Sequence, residues 1–266
     1  MFVAANYLFS IRLSGGGFEL SPLALIFVFL ATLCFFFRMR LFDEIKDYEI
    51  DLKINPHRPL ARGLISVREV KRTIIGIMIF ELVLMSNLGA IPFFLYLFAL
   101  FYSLLMYEEF FIGDWLRPHL TTYAVSHTIV VGFLSFAIIS CVLGFTALNF
   151  SPNIFLFCLS HWCIFNLFEF ARKTFAPSEE RPNVPSYSNI FGLKGAYALS
   201  ASQVVISSVA LYCSSEIRPD WAFLIAGAFF CVLSVLTLKK VSAFRGIATA
   251  YLALYFLLLI ILLRSF

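Results

Sequence analysis

Long apolar stretches recur along the whole chain and are separated by shorter polar segments. A membrane-spanning α-helix needs about 20 predominantly apolar residues. The stretches that approach this length predict eight full spans, at Pro22–Phe42, Val70–Leu88, Pro92–Tyr107, Leu120–Gly144, Asn153–Ala171, Leu193–Cys213, Trp221–Leu238 and Ile247–Leu263. Met1–Ile11 is apolar but too short to span alone, which predicts a short or truncated N-terminal helix. The pattern therefore predicts an all-α, polytopic transmembrane helix bundle, with residues 1–266 forming one domain.

The composition supports a membrane protein and excludes other classes. Of the 266 residues, 61% are hydrophobic and 14% are charged, whereas soluble domains have about 45–50% apolar and about 25% charged residues. The mean hydropathy of +0.90 excludes a water-soluble globule and also a disordered chain. The net charge of +4 is too small to indicate a nucleic-acid partner. The six cysteines include no CxxC pair, so we interpret them as buried small apolar residues rather than disulfide partners or zinc ligands.

The polar connections between the predicted spans alternate strongly in charge. Of the 20 Lys and Arg residues, 17 fall on one side of the membrane, and only Arg12, Arg218 and Arg264 fall on the other. Because positive charge stays cytoplasmic, the two long polar connections are predicted to face the cytoplasm. We therefore expect an integral, multi-pass protein whose chemistry lies at the cytoplasmic face, with a bacterial inner membrane as the favoured location.

The first long connection begins with a regular acidic stripe made of Asp43, Glu44, Asp47 and Asp51. On a continuing helix Asp43, Asp47 and Asp51 share one face. Like charges one turn apart repel each other, and they lie near the negative end of the helix dipole. This arrangement indicates a missing cation, and Mg²⁺ is the cation that carboxylates share with substrate phosphates. The alternative is a solvated helix end that is balanced by Lys46 and Lys53.

An irregular loop that contains Arg58 and Arg62 follows this stripe. Two prolines and a glycine interrupt any helix there, and a guanidinium binds phosphate through two parallel hydrogen bonds. The loop is therefore a candidate diphosphate site. Ordinary arginine anchors at the membrane surface are the alternative interpretation.

Together these residues resemble the first Asp-rich motif of the UbiA superfamily of intramembrane prenyltransferases. The family pattern is N-D-x-x-D-x-x-x-D followed by R-P-L-x-x-G-x-I-S. This chain has Asp43-Glu44-x-x-Asp47-x-x-x-Asp51 and then Arg58-Pro59-Leu60-x-x-Gly63-x-Ile65-Ser66. Asp43 replaces the family's Asn and Glu44 replaces its first Asp, and both changes keep an oxygen ligand.

The second long connection is a looser match to the family's second acidic motif. Glu169 lies near the first Asp of that motif and Glu179 near the last, but the segment contains no Asp. The resemblance implies a second Mg²⁺ site from Glu169 and Glu179, with Arg172 and Lys173 on the diphosphate. A loop of solvated Glu–Arg pairs is the alternative.

The resemblance implies Mg²⁺-dependent transfer of a prenyl group from a polyprenyl diphosphate to a hydrophobic or lipid-like acceptor at the cytoplasmic membrane face. The surrounding membrane lipids are the other implied partners. Asp43, Asp47, Asp51 and Glu169 are then the catalytic candidates. The implied metal ligands are Asp43, Glu44, Asp47, Asp51, Glu169 and Glu179, and the implied substrate-binding residues are Lys46, Arg58, Arg62, Arg172 and Lys173.

Three further hypotheses remain open. One is a transporter or lipid-binding protein on the same scaffold. Transporters usually bury charges near the membrane midplane, and the predicted spans contain almost none, with Glu81 as the clearest exception, which counts against transport. Another is a relative that has kept the fold and lost the activity. The third is a phosphatidyltransferase of the CDP-alcohol type, which is disfavoured because its motif D-x-x-D-G-x-x-A-R is absent from the sequence. The acidic pair Glu108–Glu109 is interpreted as a polar helix end, with a role toward the acceptor as the alternative. Tyr123 is interpreted as a packing or interface aromatic residue.

Overall fold

The protein is described by a computed structural model that covers residues 1–149, 151–181, 184–214, 216–217, 221–238 and 240–264. Arg218, which entered the charge argument, lies outside these ranges. Within them all regular secondary structure is helical. The α-helices are α1 (Phe2–Leu13), α2 (Pro22–Lys46), α3 (Tyr48–Ile54), α4 (Val67–Ser86), α5 (Ala90–Tyr107), α6 (Gly113–Leu116), α7 (Leu120–Thr128), α8 (Val130–Leu143), α9 (Pro152–Arg172), α10 (Tyr187–Cys213), α11 (Trp221–Leu236) and α12 (Val241–Arg264).

The described helices include six that are long and apolar enough to cross a membrane. They are α2, α5, the run from α7 through α8 at Leu120–Asn149, α9, α10 and α12. The all-helical prediction is confirmed, but the predicted count of eight spans is not. Two predicted spans account for the difference in count. α4 contains several charged residues in its first turns and Glu81 further along, and α11 has only 16 residues. The predicted short N-terminal helix corresponds to α1.

Serine caps fix where several spans begin. Ser21 and Ser151 each accept a hydrogen bond from a backbone N–H of the first turn, and each is followed by proline at the first helical position. The serine hydroxyl accepts a hydrogen bond from a backbone N–H that would otherwise be unpaired, and proline has no backbone N–H that needs a partner. Ser66 and Glu69 form a reciprocal capping box at the start of α4. These caps keep the polar connections outside the bundle.

Two apolar clusters form the interior of the bundle. One is built mainly from α9, α10, α11 and α12 with α1, and the other from α2, α5 and α8 with the end of α4. Many large apolar side chains on the outer faces, such as Phe29, Phe98 and Phe229, remain exposed, as expected of surfaces that contact lipid. The six cysteines are free, and only Cys163 is fully buried, while Cys213 is exposed. The expectation of uniformly buried cysteines is therefore wrong.

A buried ion pair connects three helices inside the second cluster. Arg38 of α2 and Glu81 of α4 are both fully buried, and the Arg38 Nε atom lies 3.2 Å from both carboxylate oxygens of Glu81. The Arg38 Nη1 atom also donates to Ser103 Oγ of α5 at 2.7 Å. A charge within apolar surroundings must be paired. The pair therefore fixes α2 against α4 and α5 just before α2 reaches Asp43.

Candidate active site at the acidic end of the bundle

The two acidic segments lie at the same end of the bundle and face each other. α2 ends at Lys46, and Asp47 follows as the residue between α2 and α3. The charge of Arg172, at the end of α9, lies within electrostatic range of Asp43, and the charge of Lys173 lies within range of Asp47. The fold therefore brings together two segments that are far apart in sequence. We call this region the acidic end.

Asp43 and Asp47 are the least engaged carboxylates of the first segment. Both are exposed, and Asp43 forms only a long ion pair of 3.9 Å with Arg40. In the described part of the chain, no side chain forms a hydrogen bond or ion pair with Asp47. The pKa of Asp47 is raised above its usual value, first because the surrounding protein partly desolvates the carboxylate and second because Asp51 adds a negative charge nearby. A cation would relieve both effects.

Asp51 and Glu44 are instead paired with arginines. Asp51 is buried, its Oδ2 accepts from Arg58 Nη1 at 2.6 Å, and its Oδ1 accepts from Asn55 Nδ2 at 2.8 Å. Glu44 accepts from Arg40 and lies 3.8 Å from Arg58 Nη1. Arg58 therefore lies over the first acidic segment and neutralises part of its charge.

The donor set fits a magnesium ion that arrives with a phosphate ligand. Among the residues that the structure describes, no three Asp, Glu, His or Cys side chains are close enough to form a metal cluster. In phosphate-handling sites, however, Mg²⁺ commonly uses one or two carboxylates and takes its other ligands from water and substrate oxygens. Asp43 and Asp47 are exposed oxygen donors one helical turn apart. They match that requirement, and a closed protein cage is not needed.

At the end of α9, the second acidic segment neutralises its own charge. Glu169 Oε2 accepts from Arg172 Nε at 2.5 Å, and Glu169 Oε1 lies 3.0 Å from Lys173 Nζ. Arg172 is half-exposed. Arg172 and Lys173 together carry two positive charges against the one negative charge of Glu169. Arg62, in the loop of the first segment, is exposed. The predicted diphosphate ligands Arg62, Arg172 and Lys173 therefore lie at the surface of the acidic end.

The remaining carboxylates of the second segment are used within its loop. Glu179 accepts two hydrogen bonds from Arg245 of α12, at 2.7 and 2.8 Å. The hydrogen bond from Arg245, together with one from the backbone N–H of Ala176, lowers the pKa of Glu179 to about 2. Glu180 accepts hydrogen bonds from Ser186 and Ser188. In the structure Glu179 therefore pairs with Arg245 of α12, whereas Glu169 pairs with Arg172 and Lys173.

A third group at the acidic end was missed by the sequence interpretation. Glu109 is only 7% exposed, and its Oε2 accepts a hydrogen bond from Arg117 Nε at 2.7 Å, so it is not a simple polar helix end. The Lys46 Nζ atom lies 3.4 Å from Glu109 Oε1 and donates to Tyr123 Oη at 2.9 Å and to the Met106 carbonyl at 3.3 Å. Tyr123 is therefore a member of a polar cluster and not only a packing residue.

The backbone that carries Glu109 is strained. Glu109, Phe110 and Phe111 have φ values of 49°, 55° and 58°, which place three consecutive residues with side chains in the left-handed region. This conformation costs about 1–2 kcal/mol per residue. Strain of this kind is often found at functional sites. The acidic pair after α5 and the glycine at position 113 were the available sequence signals, but neither indicates which way the turn points.

An apolar hollow lies at the opposite end of the bundle. It measures about 640 Å³ and is bordered by the end of α1, the start of α5 and the end of α8, including Leu13, Ile91 and Phe145. Its lining contains no charged side chain. The hollow therefore does not carry the predicted chemistry, which belongs to the acidic end.

Comparison with known proteins identifies the fold. The sequence model of the UbiA prenyltransferase family matches residues 6–264. An apo structure of a UbiA homologue from Aeropyrum pernix K1 superposes with a TM-score of 0.71 at 15% identity, covering 99% of this chain and 95% of that one. A structure described for digeranylgeranylglyceryl phosphate synthase in membranes gives 0.68 at 18% identity, with 100% and 92% coverage. No curated protein matches this chain.

Proposed function

This chain belongs to the UbiA prenyltransferase family, and we propose that it transfers a prenyl group from a polyprenyl diphosphate to a hydrophobic or lipid-like acceptor within the membrane. One observation carries the proposal. Asp43 and Asp47 are exposed and weakly engaged, and they face the positive charges of Arg172 and Lys173 across the acidic end. Such a place can accept a metal-bound diphosphate, because it offers oxygen ligands on one side and cations on the other.

We assign the magnesium ligands first to Asp43 and Asp47, with Glu44, Asp51 and Glu169 in adjacent positions. When bound, Mg²⁺ would neutralise the diphosphate and stabilise it as a leaving group. Glu179 is the weakest of the sequence-derived candidates, because Arg245 engages both of its oxygens. Metal binding requires ionised carboxylates, and the raised pKa of Asp47 makes this requirement sensitive to pH.

The basic residues of the acidic end would bind the diphosphate oxygens. Arg58, Arg172 and Lys173 would exchange part of their contact with Asp51 and Glu169 for the diphosphate, while Arg62 is exposed and nearby in the same loop. Lys46, at the end of α2, would approach from the side of Glu109. Positive charges around a departing diphosphate stabilise the negative charge that develops on it.

The prenyl group would lie among aromatic residues inside the bundle. Phe36 lies on α2 about two turns before Asp43, and it stacks on Phe165 of α9 with a ring distance of 5.9 Å. Phe2 of α1 contacts both rings edge to face. As the allylic C–O bond breaks, its electron pair leaves with the diphosphate. Aromatic rings can stabilise the allylic cation, and the apolar surroundings exclude water until the acceptor forms the new bond.

The excess of basic residues at this end supports a cytoplasmic orientation. The acceptor is proposed as a lipid-like molecule that reaches the acidic end from the bilayer. The structure described for digeranylgeranylglyceryl phosphate synthase, a protein of the same fold, makes a glyceryl phosphate lipid one acceptor to include in an assay.

The test uses the full chain in vesicles with radiolabelled geranylgeranyl diphosphate and Mg²⁺. We expect a new labelled lipid when membrane extract or a glyceryl phosphate lipid is supplied, and diphosphate release that requires Mg²⁺. The variant Asp43→Asn/Asp47→Asn should lose that release, whereas Glu49→Gln, which changes an exposed acid of the same segment, should keep it. Full activity in the double variant would refute the metal assignment. Cation-stimulated flux without lipid turnover would favour the transporter hypothesis.

A further inference from the structure

The buried carboxylate of Glu109 is held by two cationic side chains and a hydroxyl group. Its carboxylate is almost inaccessible to water and is surrounded by the Lys46 ammonium, the Arg117 guanidinium and the Tyr123 hydroxyl. These groups come from three different parts of the chain, namely the end of α2, the residue that follows α6, and α7. A buried carboxylate with this many partners is fixed in position, because moving it would leave charges unpaired.

The backbone has been shaped to place this carboxylate. The left-handed turn at residues 109–111 directs Glu109 into the bundle at the point where α5 ends. The carboxylate then occupies the space beside Gly113, where a Cβ atom would lie 2.2 Å from Glu109 Oε2. Both the strained turn and the glycine are therefore explained by the position of one side chain.

Lys46 is the partner that connects Glu109 to the donor site. It is the last residue of α2, its charge lies within electrostatic range of Asp43, and it directly precedes Asp47. The Tyr123 hydroxyl, which accepts from Lys46, lies within electrostatic range of both aspartates. A free lysine would sample many rotamers at this place, and ordering it on binding would cost entropy. Contacts that order it beforehand make a diphosphate bind more tightly.

We infer that Glu109 is a positioning residue for the donor: together with Tyr123, it holds the Lys46 ammonium beside Asp43 and Asp47, where the diphosphate binds. This inference rests on the proposed function, because it needs a diphosphate at the acidic end. Glu109 itself does not touch the donor. Its effect passes entirely through Lys46, which gives the inference a sharp test.

The test is a double-mutant cycle on donor binding by the full-length protein in detergent. The probe is geranylgeranyl S-thiolodiphosphate, a donor analogue that resists ionisation, with Mg²⁺. Glu109→Gln should weaken binding of the analogue by about 3- to 10-fold, as expected for loss of one partly exposed charge contact, and Lys46→Met should weaken it at least as much. In the Lys46→Met background, Glu109→Gln should have no further effect. In turnover, Glu109→Gln should raise KM for the donor while kcat stays within about two-fold.

A second variant addresses the possibility that Glu109→Gln disturbs folding. Gly113→Ala keeps every charge but displaces the Glu109 carboxylate, so it should also weaken binding of the analogue. Gly76→Ala makes the same change in α4, where no atom lies within 4 Å of the added Cβ, and should leave binding unchanged.

Three outcomes would overturn the inference. An equal loss on Glu109→Gln with and without Lys46 would mean that Glu109 does not act through Lys46. Tighter binding in Glu109→Gln would mean that Glu109 competes with the diphosphate instead of preparing for it. No Mg²⁺-dependent binding of the analogue by the unaltered protein would refute the proposed function, and the inference with it.

Discussion

The two acidic segments at the same end of the bundle have opposite charge arrangements. The first, around α2 and α3, leaves Asp43 and Asp47 weakly engaged and raises the pKa of Asp47. The second, at the end of α9 and in the loop that follows, pairs Glu169 with Arg172 and Lys173, and Glu179 with Arg245. The same mixture of acidic and basic residues thus produces an open place for a cation in one segment and a neutralised, positively charged surface in the other. We therefore expect the metal on the first segment and much of the diphosphate charge on the second.

The largest expected effect separates the two segments directly. Asp47→Asn should lower the rate of Mg²⁺-dependent diphosphate release by at least about 100-fold, the size typical of losing one preorganised electrostatic group. Glu169→Gln should cost much less, because the cations that it pairs with remain. Release rates at saturating donor provide the measurement. Equal losses in the two variants would contradict the division of roles and restore a two-metal site.

A second prediction concerns the fully buried charges inside the bundle. Glu81→Gln leaves the buried Arg38 without its counter-ion and should destabilise the protein by about 3–5 kcal/mol. The paired change Arg38→Met/Glu81→Leu should recover much of this, since it removes both charges. Thermal unfolding in detergent is the measurement. Recovery of stability without recovery of activity would indicate that the pair also sets the position of α2 for Asp43.

The pH dependence should distinguish the segments by their different pKa shifts. The pKa of Asp47 is raised, so this carboxylate takes up a proton at a higher pH than an ordinary aspartate and then loses its affinity for Mg²⁺. The pKa of Glu179 is lowered to about 2, so the stability that its pairing contributes is present above the ordinary glutamate pKa and is lost only as the pH falls through about 2.

Lowering the pH from neutral should therefore weaken Mg²⁺ binding before the pH reaches the ordinary aspartate pKa, while leaving the fold intact. Raising the Mg²⁺ concentration should shift the loss of activity to lower pH, because the ion favours the ionised carboxylate. Loss of helical circular dichroism over the same pH range would show that unfolding, and not protonation of Asp47, is responsible.

The smallest effect is expected at the surface of the second segment. Glu179→Gln breaks an ion pair with Arg245 that is accessible to water, and such pairs contribute little to stability. Diphosphate release should stay within about two-fold of the unaltered protein, with Arg245→Met behaving in the same way. A loss comparable to that in Asp47→Asn would place Glu179 in the metal site after all.

The prediction from sequence succeeded where short-range patterns decide the structure. The all-helical bundle follows from apolar stretches. The stripe of Asp43, Asp47 and Asp51 was predicted on a continuing helix, whereas α2 ends at Lys46 and Asp51 is buried, so a shared ligand face stays a prediction. The starts of α2 and α9 coincide with Ser-Pro pairs, which act locally as caps. The count of eight spans is not confirmed, because hydropathy alone does not establish whether charged turns, such as the start of α4, extend an apolar helix.

The sequence by itself determined the class of the protein, the polar end where chemistry is expected and the residues of the first acidic motif, because hydropathy and helical periodicity act over a few neighbouring positions. Only the tertiary structure decided which charges meet. Arg38 pairs with Glu81, Lys46 meets Glu109 and Tyr123, and Glu179 is bound by Arg245. Each of these contacts joins segments that are distant in the sequence, and its partner depends on how the helices pack and on the direction of one strained turn. For Arg38 and Glu81, burial then makes the pairing obligatory, since a charge removed from water needs a counter-charge close by.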